Sequence, residues 1–185
     1  MRPAVFLDRD GTINEQMGYI NHISRFHLIP GAAKAIGLLN RNDYLVIVIS
    51  NQSGIARGYF PLELVHEVHK YMKELLKKEG AHVDAIYFCP HSPDENCSCR
   101  KPKTGLIDQA CRDLEIDLSR SYVIGDMCTD MELARNAGLK GIMVKTGYGI
   151  GEITYRLPKA DVRPVFLADD LLSAVRWILD NDKGH

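Results

Sequence analysis

Three aspartates stand where short apolar segments of the chain end. Asp8 and Asp10 follow the run Ala4–Leu7, and Asp126 follows the run Ser121–Gly125. Carboxylates that lie close together repel each other, and their pKa values rise unless a cation neutralises them. Mg²⁺ suits such a group because it takes a few protein oxygens and completes its shell with water and phosphate oxygens. The three acids therefore predict a magnesium site, and the absence of softer ligands argues against zinc there.

A hydroxyl and an ammonium group are available to hold a phosphate beside these acids. Ser50 ends the apolar run Tyr44–Ser50, and Lys101 lies in the loop Pro90–Thr104. A phosphoryl group in transfer carries its charge on its equatorial oxygens, and a cation, an ammonium group and a hydroxyl donor all stabilise that charge. This set of groups favours a phosphate ester as the substrate.

Asp8 and Asp10 can divide the work of phosphoryl transfer between them. Residues two apart on an extended chain point to the same side, so Arg9 between them is expected to face away. Asp8 can attack phosphorus as the nucleophile, and Asp10 can protonate the leaving oxygen and then deprotonate the water that cleaves the aspartyl-phosphate. Taken singly, each acid could be a turn or helix-cap residue. The prediction depends on their common position at strand ends.

Three cysteines and one histidine follow the pattern C-x-H-x5-C-x-C, at Cys89, His91, Cys97 and Cys99. A structural zinc site takes four sulfur or nitrogen ligands and leaves no position for water. The segment CPHSPDENCSC has almost nothing apolar to bury, so a metal could order it where a hydrophobic core could not. We expect structural Zn²⁺ in a loop over residues 89–99, which would hold the neighbouring loop that presents Lys101.

Further polar residues could line a substrate cleft at the same edge. Arg57 lies in the Gly-flanked segment SNQSGIARGYF and could meet a second anionic group, although a solvated loop arginine is an equal alternative. Arg100 could contact the substrate or pair with an acid of the site. We also expect Asn51, Gln52 and Lys145 as polar wall residues.

Apolar, strand-like runs alternate with amphipathic helical runs along most of the chain. This alternation predicts an α/β fold with a doubly wound parallel sheet and helices on both faces. Ligands of such folds bind beyond the carboxyl ends of the strands, where the residues above lie. Strands are predicted over Ala4–Asp8, Tyr44–Ser50, Asp84–Cys89, Ser121–Gly125, Gly141–Lys145 and Val165–Ala168, and helices over Pro30–Leu39, Glu63–Lys78, Leu106–Leu114, Met131–Ala137 and Asp170–Leu179.

Composition narrows the classes of protein that the chain could be. It has 185 residues, of which 45% are hydrophobic and 25% charged, with a net charge of −1. These values suit one globular domain over residues 1–185. The balanced charge argues against a general affinity for nucleic acid or membrane surfaces, and no apolar run is long enough to span a membrane. We expect a cytoplasmic monomer whose cysteines are reduced or bound to metal.

Four ordered motifs resemble those of the haloacid dehalogenase-like (HAD) phosphohydrolases. The first motif of that superfamily, DxDGT, reads DRDGT here, and the fourth, GDxxxD, reads GDMCTD. The second motif is a Ser or Thr after the second strand. The third is a Lys before a helix. The matching positions are Asp8–Thr12, Ser50, Lys101 and Gly125–Asp130.

The resemblance implies a Rossmann-like core, a catalytic Mg²⁺ and a role for each matching residue. Asp8 would be nucleophile and metal ligand, Asp10 general acid and base with its backbone carbonyl on the metal, and Asp126 a further ligand. Asp130 would support the site without contacting the metal, and Ser50 and Lys101 would hold the phosphoryl group. Neither insert between the motifs is large enough for a cap domain, so an open site is expected.

The zinc pattern and the segment CRKPK narrow the resemblance to the branch that contains heptose bisphosphate phosphatases and histidinol-phosphate phosphatases. The segment SNQSGIARGYF is closer to the heptose enzymes. That implies hydrolysis of the C7 phosphate of D-glycero-D-manno-heptose 1,7-bisphosphate, in a pathway to lipopolysaccharide or S-layer glycan. Histidinol phosphate is the alternative substrate. Two alternatives belong to other functional classes. One is a phosphotransferase or mutase, and the other is a zinc-stabilised binding module without catalytic activity.

Overall fold

The computed structural model describes residues 1–182 and confirms the predicted α/β class. Six parallel strands form one sheet in the order β3-β2-β1-β4-β5-β6. Their bounds are Arg2–Leu7 (β1), Leu45–Asn51 (β2), Ala85–Cys89 (β3), Ile116–Gly125 (β4), Lys140–Val144 (β5) and Phe166–Ala168 (β6).

Helices cover both faces of the sheet. They are α1 (Ala32–Arg41), α2 (Leu62–Lys78), α3 (Gly105–Asp113), α4 (Cys128–Asn136), a single short turn α5 (Gly149–Gly151) and α6 (Leu171–Asp182). Alternate residues of β1 point to opposite faces, so Val5 and Leu7 pack in one core with α1, α2 and α6. Phe6 packs in a second core with α3 and α4. Because both faces are covered, residues 4–7 of β1, 45–49 of β2 and 122–124 of β4 are all apolar and buried.

β4 is longer than its apolar run predicts. The strand begins at Ile116, five residues before Ser121, and its polar first half pairs with the start of β1. The register shifts between Pro3 and Val5, and Ser121 fills the irregularity, since its hydroxyl accepts a hydrogen bond from the backbone N–H of Ala4 at 2.9 Å. A side chain thus replaces a ladder bond there, which a strand prediction based on alternation does not foresee.

α4 begins earlier than predicted, at Cys128 instead of Met131, which places Asp130 in its first turn. A carboxylate there is favoured by the helix dipole. The stretch 146–164, for which the sequence predicts no regular structure, contains α5, a π-helical turn (Glu152–Arg156) and a 3₁₀ turn (Leu157–Lys159).

The order of the strands reverses between β1 and β4, and ligand sites of doubly wound sheets lie at such a reversal. Leu7 pairs with Ile124, so the residues that leave these two strands are neighbours. Among residues 1–182, the connections after β1 and after β2 contain no separate cap domain, as the sequence predicts. No helix in that range is both long and apolar enough to cross a bilayer.

Candidate active site

Three buried carboxyl groups meet at the carboxyl ends of β1 and β4. Oxygens of Asp8, Asp126 and Asp130 all lie within 4.8 Å of one another. Asp8 leaves β1 with its backbone N–H still bonded to the carbonyl of Ile124 at 3.0 Å, and Asp126 leaves β4 directly after Gly125. The sheet register therefore determines how close these acids lie.

Lys101 lies between two of these acids. Its ammonium group donates to Asp8 Oδ1 at 2.7 Å, to Asp130 Oδ1 at 2.8 Å and to the carbonyl of Ile49 at 3.2 Å. Burial favours the neutral amine, but Asp130 and Asp8 outweigh it and raise the pKa of Lys101. Burial raises the pKa of Asp8 to about 6, while Lys101 opposes that shift and Asp130 adds to it. The lysine stays charged and compensates part of the acidic group.

The negative charge of the Asp126 carboxylate is offset less than that of Asp8 or Asp130, which both contact Lys101. Its Oδ2 accepts a hydrogen bond from the backbone N–H of Tyr148 at 2.8 Å, and its buried Oδ1 has no partner within the described part of the chain. Burial, followed by the charges of Asp8 and Asp130, raises the pKa of Asp126 to about 8. A buried oxygen without a donor is rare in native proteins unless water or an ion satisfies it. The donor set, all carboxylate oxygen, fits a hard cation such as Mg²⁺.

The Asp10 carboxylate is not part of the cluster formed by Asp8, Asp126 and Asp130, and it accepts hydrogen bonds from a separate set of donors. It accepts from the guanidinium of Arg9 at 3.0 and 3.1 Å, from the amide of Asn14 at 2.9 Å and from the amide of Gln52 at 3.0 Å. Burial alone would raise the pKa of Asp10, but Arg9 and these amides outweigh it and lower the pKa. The expectation that Arg9 faces away was wrong, because its long side chain folds back and buries against Asp10.

Two amide side chains after β2 tie the site together. Gln52 donates to Ser50 Oγ at 2.7 Å as well as to Asp10, so one buried amide links the hydroxyl with the carboxylate. Asn51 exchanges two hydrogen bonds with the backbone of Lys101, at 3.1 and 3.3 Å. Both residues, predicted as cleft walls, are in contact with predicted catalytic groups.

A cleft of about 110 Å³ opens over these groups. Its lining residues are Asp8, Asp10, Gln16, Gly18, Asn51, Lys101, Met127, Thr129 and Asp130. Sequence reasoning did not single out Gln16, Gly18, Met127 or Thr129. Met127 and Thr129 lie inside the motif GDMCTD and could have been found there. Gln16 and Gly18 lie in an irregular segment that gives no local signal.

Four predicted substrate-binding residues lie outside this cleft lining: Gln52, whose contacts with Ser50 and Asp10 are given above, and three basic residues. Arg57 is exposed on the loop after β2. Arg100 donates to the carbonyl of His91 at 3.3 Å, and Lys145 pairs with Asp169 at 2.6 Å with both side chains largely exposed. Contact between these residues and a substrate stays a prediction.

The four predicted zinc ligands come together. Sγ of Cys89 lies 3.5 Å from Sγ of Cys97 and 3.5 Å from Nδ1 of His91, and that nitrogen lies 3.3 Å from Sγ of Cys99. Ligands of a tetrahedral zinc at about 2.3 Å lie roughly 3.5–3.8 Å apart. The cluster therefore fits Zn²⁺ in type, number and spacing.

A family model described as HAD-hydrolase-like matches residues 98–174. Those residues include Lys101, Asp126 and Asp130, but Asp8, Asp10 and Ser50 lie outside the matched range. Lys101, Asp126 and Asp130 lie at the switch point of a doubly wound sheet, as the resemblance to HAD-like phosphohydrolases implies.

Curated relatives define the family of this chain more narrowly than the family model does. A D-glycero-D-manno-heptose-1,7-bisphosphate 7-phosphatase of Thermosynechococcus vestitus is 44% identical, over 96% of this chain and 95% of its own. A D-glycero-beta-D-manno-heptose-1,7-bisphosphate 7-phosphatase of Pseudomonas aeruginosa is 37% identical, over 96% and 98%. The crystal structure of the D,D-heptose 1,7-bisphosphate phosphatase from B. bronchiseptica, complexed with magnesium and phosphate, superposes with a TM-score of 0.89 at 31% identity, over 97% and 99%. The chain therefore belongs to the family of HAD-like heptose bisphosphate phosphatases.

Proposed function

We propose that this protein is a Mg²⁺-dependent phosphatase that removes the C7 phosphate of D-glycero-D-manno-heptose 1,7-bisphosphate. One observation carries the proposal: a buried lysine bridges Asp8 and Asp130 at the switch point of the sheet, beside an Asp126 oxygen that has no hydrogen-bond partner among residues 1–182. The names of the relatives support the choice of substrate.

Asp8 and Asp126 would hold the magnesium ion through their carboxylates, and Asp10 through its backbone carbonyl. Asp130 already shares Lys101 with Asp8, so it would support the site from beside the ion. When bound, Mg²⁺ would offset the charge of the three acids and of the substrate phosphate, which lowers the cost of bringing an anion to a carboxylate.

Different side chains then carry out the separate steps of the reaction. Asp8 attacks phosphorus and forms an aspartyl-phosphate, while Lys101 and the hydroxyl of Ser50 hold the phosphoryl oxygens. Asp10 gives a proton to the leaving sugar oxygen and afterwards takes a proton from the water that hydrolyses the intermediate, which restores its protonated form. Because Arg9 and the two amides lower the pKa of Asp10, the protonated form is the minor form of the free protein. Gln52 touches both Ser50 and Asp10, so it keeps the phosphate-holding group and the proton-transfer group in fixed relation.

Zn²⁺ at Cys89, His91, Cys97 and Cys99 would be structural. With four protein ligands it has no open position for substrate. The loop it orders leads directly into Arg100 and Lys101, and Arg100 also bonds the backbone of His91. We assign the zinc a role in presenting Lys101.

The open cleft suits a substrate with a second charged end. Arg57, Arg100 and Lys145 are the basic groups that we propose for the remote phosphate or the sugar hydroxyls. Cytoplasmic location and a monomeric state stay predictions of the same sequence reasoning.

Phosphate release from a panel of esters tests the function. Heptose 1,7-bisphosphate should be hydrolysed at C7 with a kcat/KM at least about 100-fold above that for histidinol phosphate and for sugar monophosphates, and only with Mg²⁺ present. Preference for histidinol phosphate would select the alternative substrate. Transfer of phosphate to a sugar hydroxyl instead of water would indicate a phosphotransferase.

Asp8→Asn tests the nucleophile. Because the amide cannot form the phosphoaspartate, kcat should fall by at least about 1,000-fold with the thermal unfolding midpoint little changed. Asp161→Asn is the matched control, since that carboxylate is fully exposed. Normal turnover by Asp8→Asn, measured as released phosphate, would overturn the proposed mechanism.

A further inference from the structure

Arg9 is the most deeply buried cation next to the cleft, and it has two different partners. Only 2% of its side chain is exposed. Its Nε and NH2 face the two oxygens of Asp10, at 3.0–3.4 Å. Its NH1 lies 3.2 Å from Nε2 of His69, which is buried on α2. The proposed mechanism uses neither Arg9 nor His69.

The chemistry of this contact determines the protonation of His69. A guanidinium has only donors, so Nε2 must accept the hydrogen bond from Arg9, and the ring is neutral with its proton on Nδ1. Burial, followed by the charge of Arg9, lowers the pKa of His69 to about 3, which agrees with a neutral ring. The ring also packs edge-on against Phe88, with centroids 5.5 Å apart.

A buried guanidinium needs an acceptor on each of its edges, because an unsatisfied buried N–H costs free energy. Asp10 serves one edge of Arg9 and His69 serves the other. With both contacts in place, the plane of the guanidinium is determined, and so is the plane of the carboxylate that it clamps. Without His69, the NH1 group would lose its acceptor, and Arg9 would be free to rotate toward another one.

We propose that His69 is a positioning residue that acts through Arg9 to hold the Asp10 carboxylate in the orientation needed for proton transfer. The inference rests on the proposed function, because it takes Asp10 as the general acid and base. It also gives α2, one of the elements that cover the sheet, a part in the chemistry at the end of β1.

The variants His69→Met and His69→Gln separate this role from packing. Both side chains are unbranched and similar in size, but only glutamine offers a strong acceptor to NH1. In His69→Met, kcat should fall roughly 10- to 100-fold with KM within about twofold, as expected for a misplaced proton-transfer group. His69→Gln should recover most of the lost kcat. His66→Leu is the control, since His66 is an exposed residue of the same helix that packs on the same Phe88.

A double-mutant cycle tests whether the effect passes through Arg9. Once Arg9→Met has removed the clamp, adding His69→Met should lower kcat no further. Additive losses would overturn the inference, as would equal kcat values for His69→Met and His66→Leu or for the Met and Gln variants. All variants are assayed well below their thermal unfolding midpoints, so that unfolding is not counted as lost catalysis.

Asp10→Asn separates failure of the inference from failure of the proposed function. If Asp10→Asn turns over normally, the role assigned to Asp10 is wrong and the inference fails with it. If Asp10→Asn is inactive while His69→Met matches the unsubstituted protein, only the positioning role is refuted.

Discussion

At the residue scale, the environment of Asp126 depends on two glycines. Gly147 has a φ of +58°, and a Cβ added there would lie 2.2 Å from Asp126 Oδ2 and 2.6 Å from Cα of Gly11. Gly11 itself has a φ of +85°, and a Cβ on it would lie 2.1 Å from the same oxygen. The loop after β5 can therefore bring the backbone N–H of Tyr148 to Asp126 only because neither residue has a side chain.

Gly147→Ala should displace the Asp126 carboxylate. We expect the Mg²⁺ concentration for half-maximal activity to rise roughly tenfold, as for other losses of support around a metal ligand. Gly138→Ala is the matched control, because Gly138 has a φ of +69° with open space around its Cβ position. That variant should lose about 1–2 kcal/mol of stability from the left-handed backbone alone and keep its Mg²⁺ dependence. If Gly147→Ala and Gly138→Ala need the same Mg²⁺ concentration for half-maximal activity, this prediction is wrong.

At the element scale, the zinc loop is connected to the site through the backbone. Lys103 donates to the carbonyl of Cys97 at 2.8 Å, and the backbone N–H of Gly105 at the start of α3 donates to the carbonyl of Ser98 at 3.2 Å. The loop thus packs on the segment that carries Lys101. Few apolar side chains lie in it, so we expect its order to depend on these bonds and on a bound metal.

Cys97→Ser should therefore affect activity as well as stability. We expect loss of bound zinc, a thermal unfolding midpoint lower by roughly 5–10 °C and a reduced kcat, because Lys101 is no longer held in place. Cys111→Ser provides the control, since Cys111 is exposed and outside the cluster. Metal analysis, thermal unfolding and phosphate release measure the three effects. Full activity in a zinc-free variant would show that the loop is ordered without metal.

At the scale of the whole molecule, the sequence predicted the positions of strand ends better than the contacts between distant segments. Buried strands are apolar on both faces, so their ends and the residues beyond them, such as Asp8 and Asp126, can be recognised locally. His69 looks like any polar residue of an amphipathic helix, yet it meets Arg9 sixty positions away. Tyr148 supplies a backbone donor to Asp126, and a backbone donor has no residue signature.

Lys145 shows the limit of arguing from strand ends alone. It follows β5 and was predicted to line the cleft, but its ammonium group pairs with Asp169, which follows β6. Parallel neighbours bring their following residues to the same edge, and an adjacent acid attracts a lysine before a more distant cleft does. Lys145 does follow β5 as predicted, but the direction of its side chain depends on its nearest opposite charge, and its contact with a substrate stays a prediction.

The end of α6 is tied to the sheet by one carboxylate. Asp182 accepts hydrogen bonds from the Tyr44 hydroxyl at 2.5 Å and from Arg120 at 3.0 Å, so it connects α6 with the start of β2 and with β4. Burial would raise the pKa of Asp182, but the Tyr44 hydrogen bond and Arg120 outweigh it and lower the pKa. A carboxyl group with a lowered folded-state pKa stabilises the fold above its unfolded pKa of about 3.9, and that contribution is lost as the pH falls through the folded value.

Asp182→Asn should therefore destabilise the protein at neutral pH and matter progressively less in acid. The asparagine keeps an oxygen for Tyr44 but removes the charge opposite Arg120. Urea unfolding of both proteins should be measured at several pH values between about 6 and about 3. The difference between their free energies of unfolding should keep its full size above pH about 4 and shrink as the pH falls further. Asp161→Asn, which replaces a fully exposed acid, should follow the unsubstituted protein across the range. A constant difference between Asp182→Asn and the unsubstituted protein would mean that the contact acts through shape instead of charge.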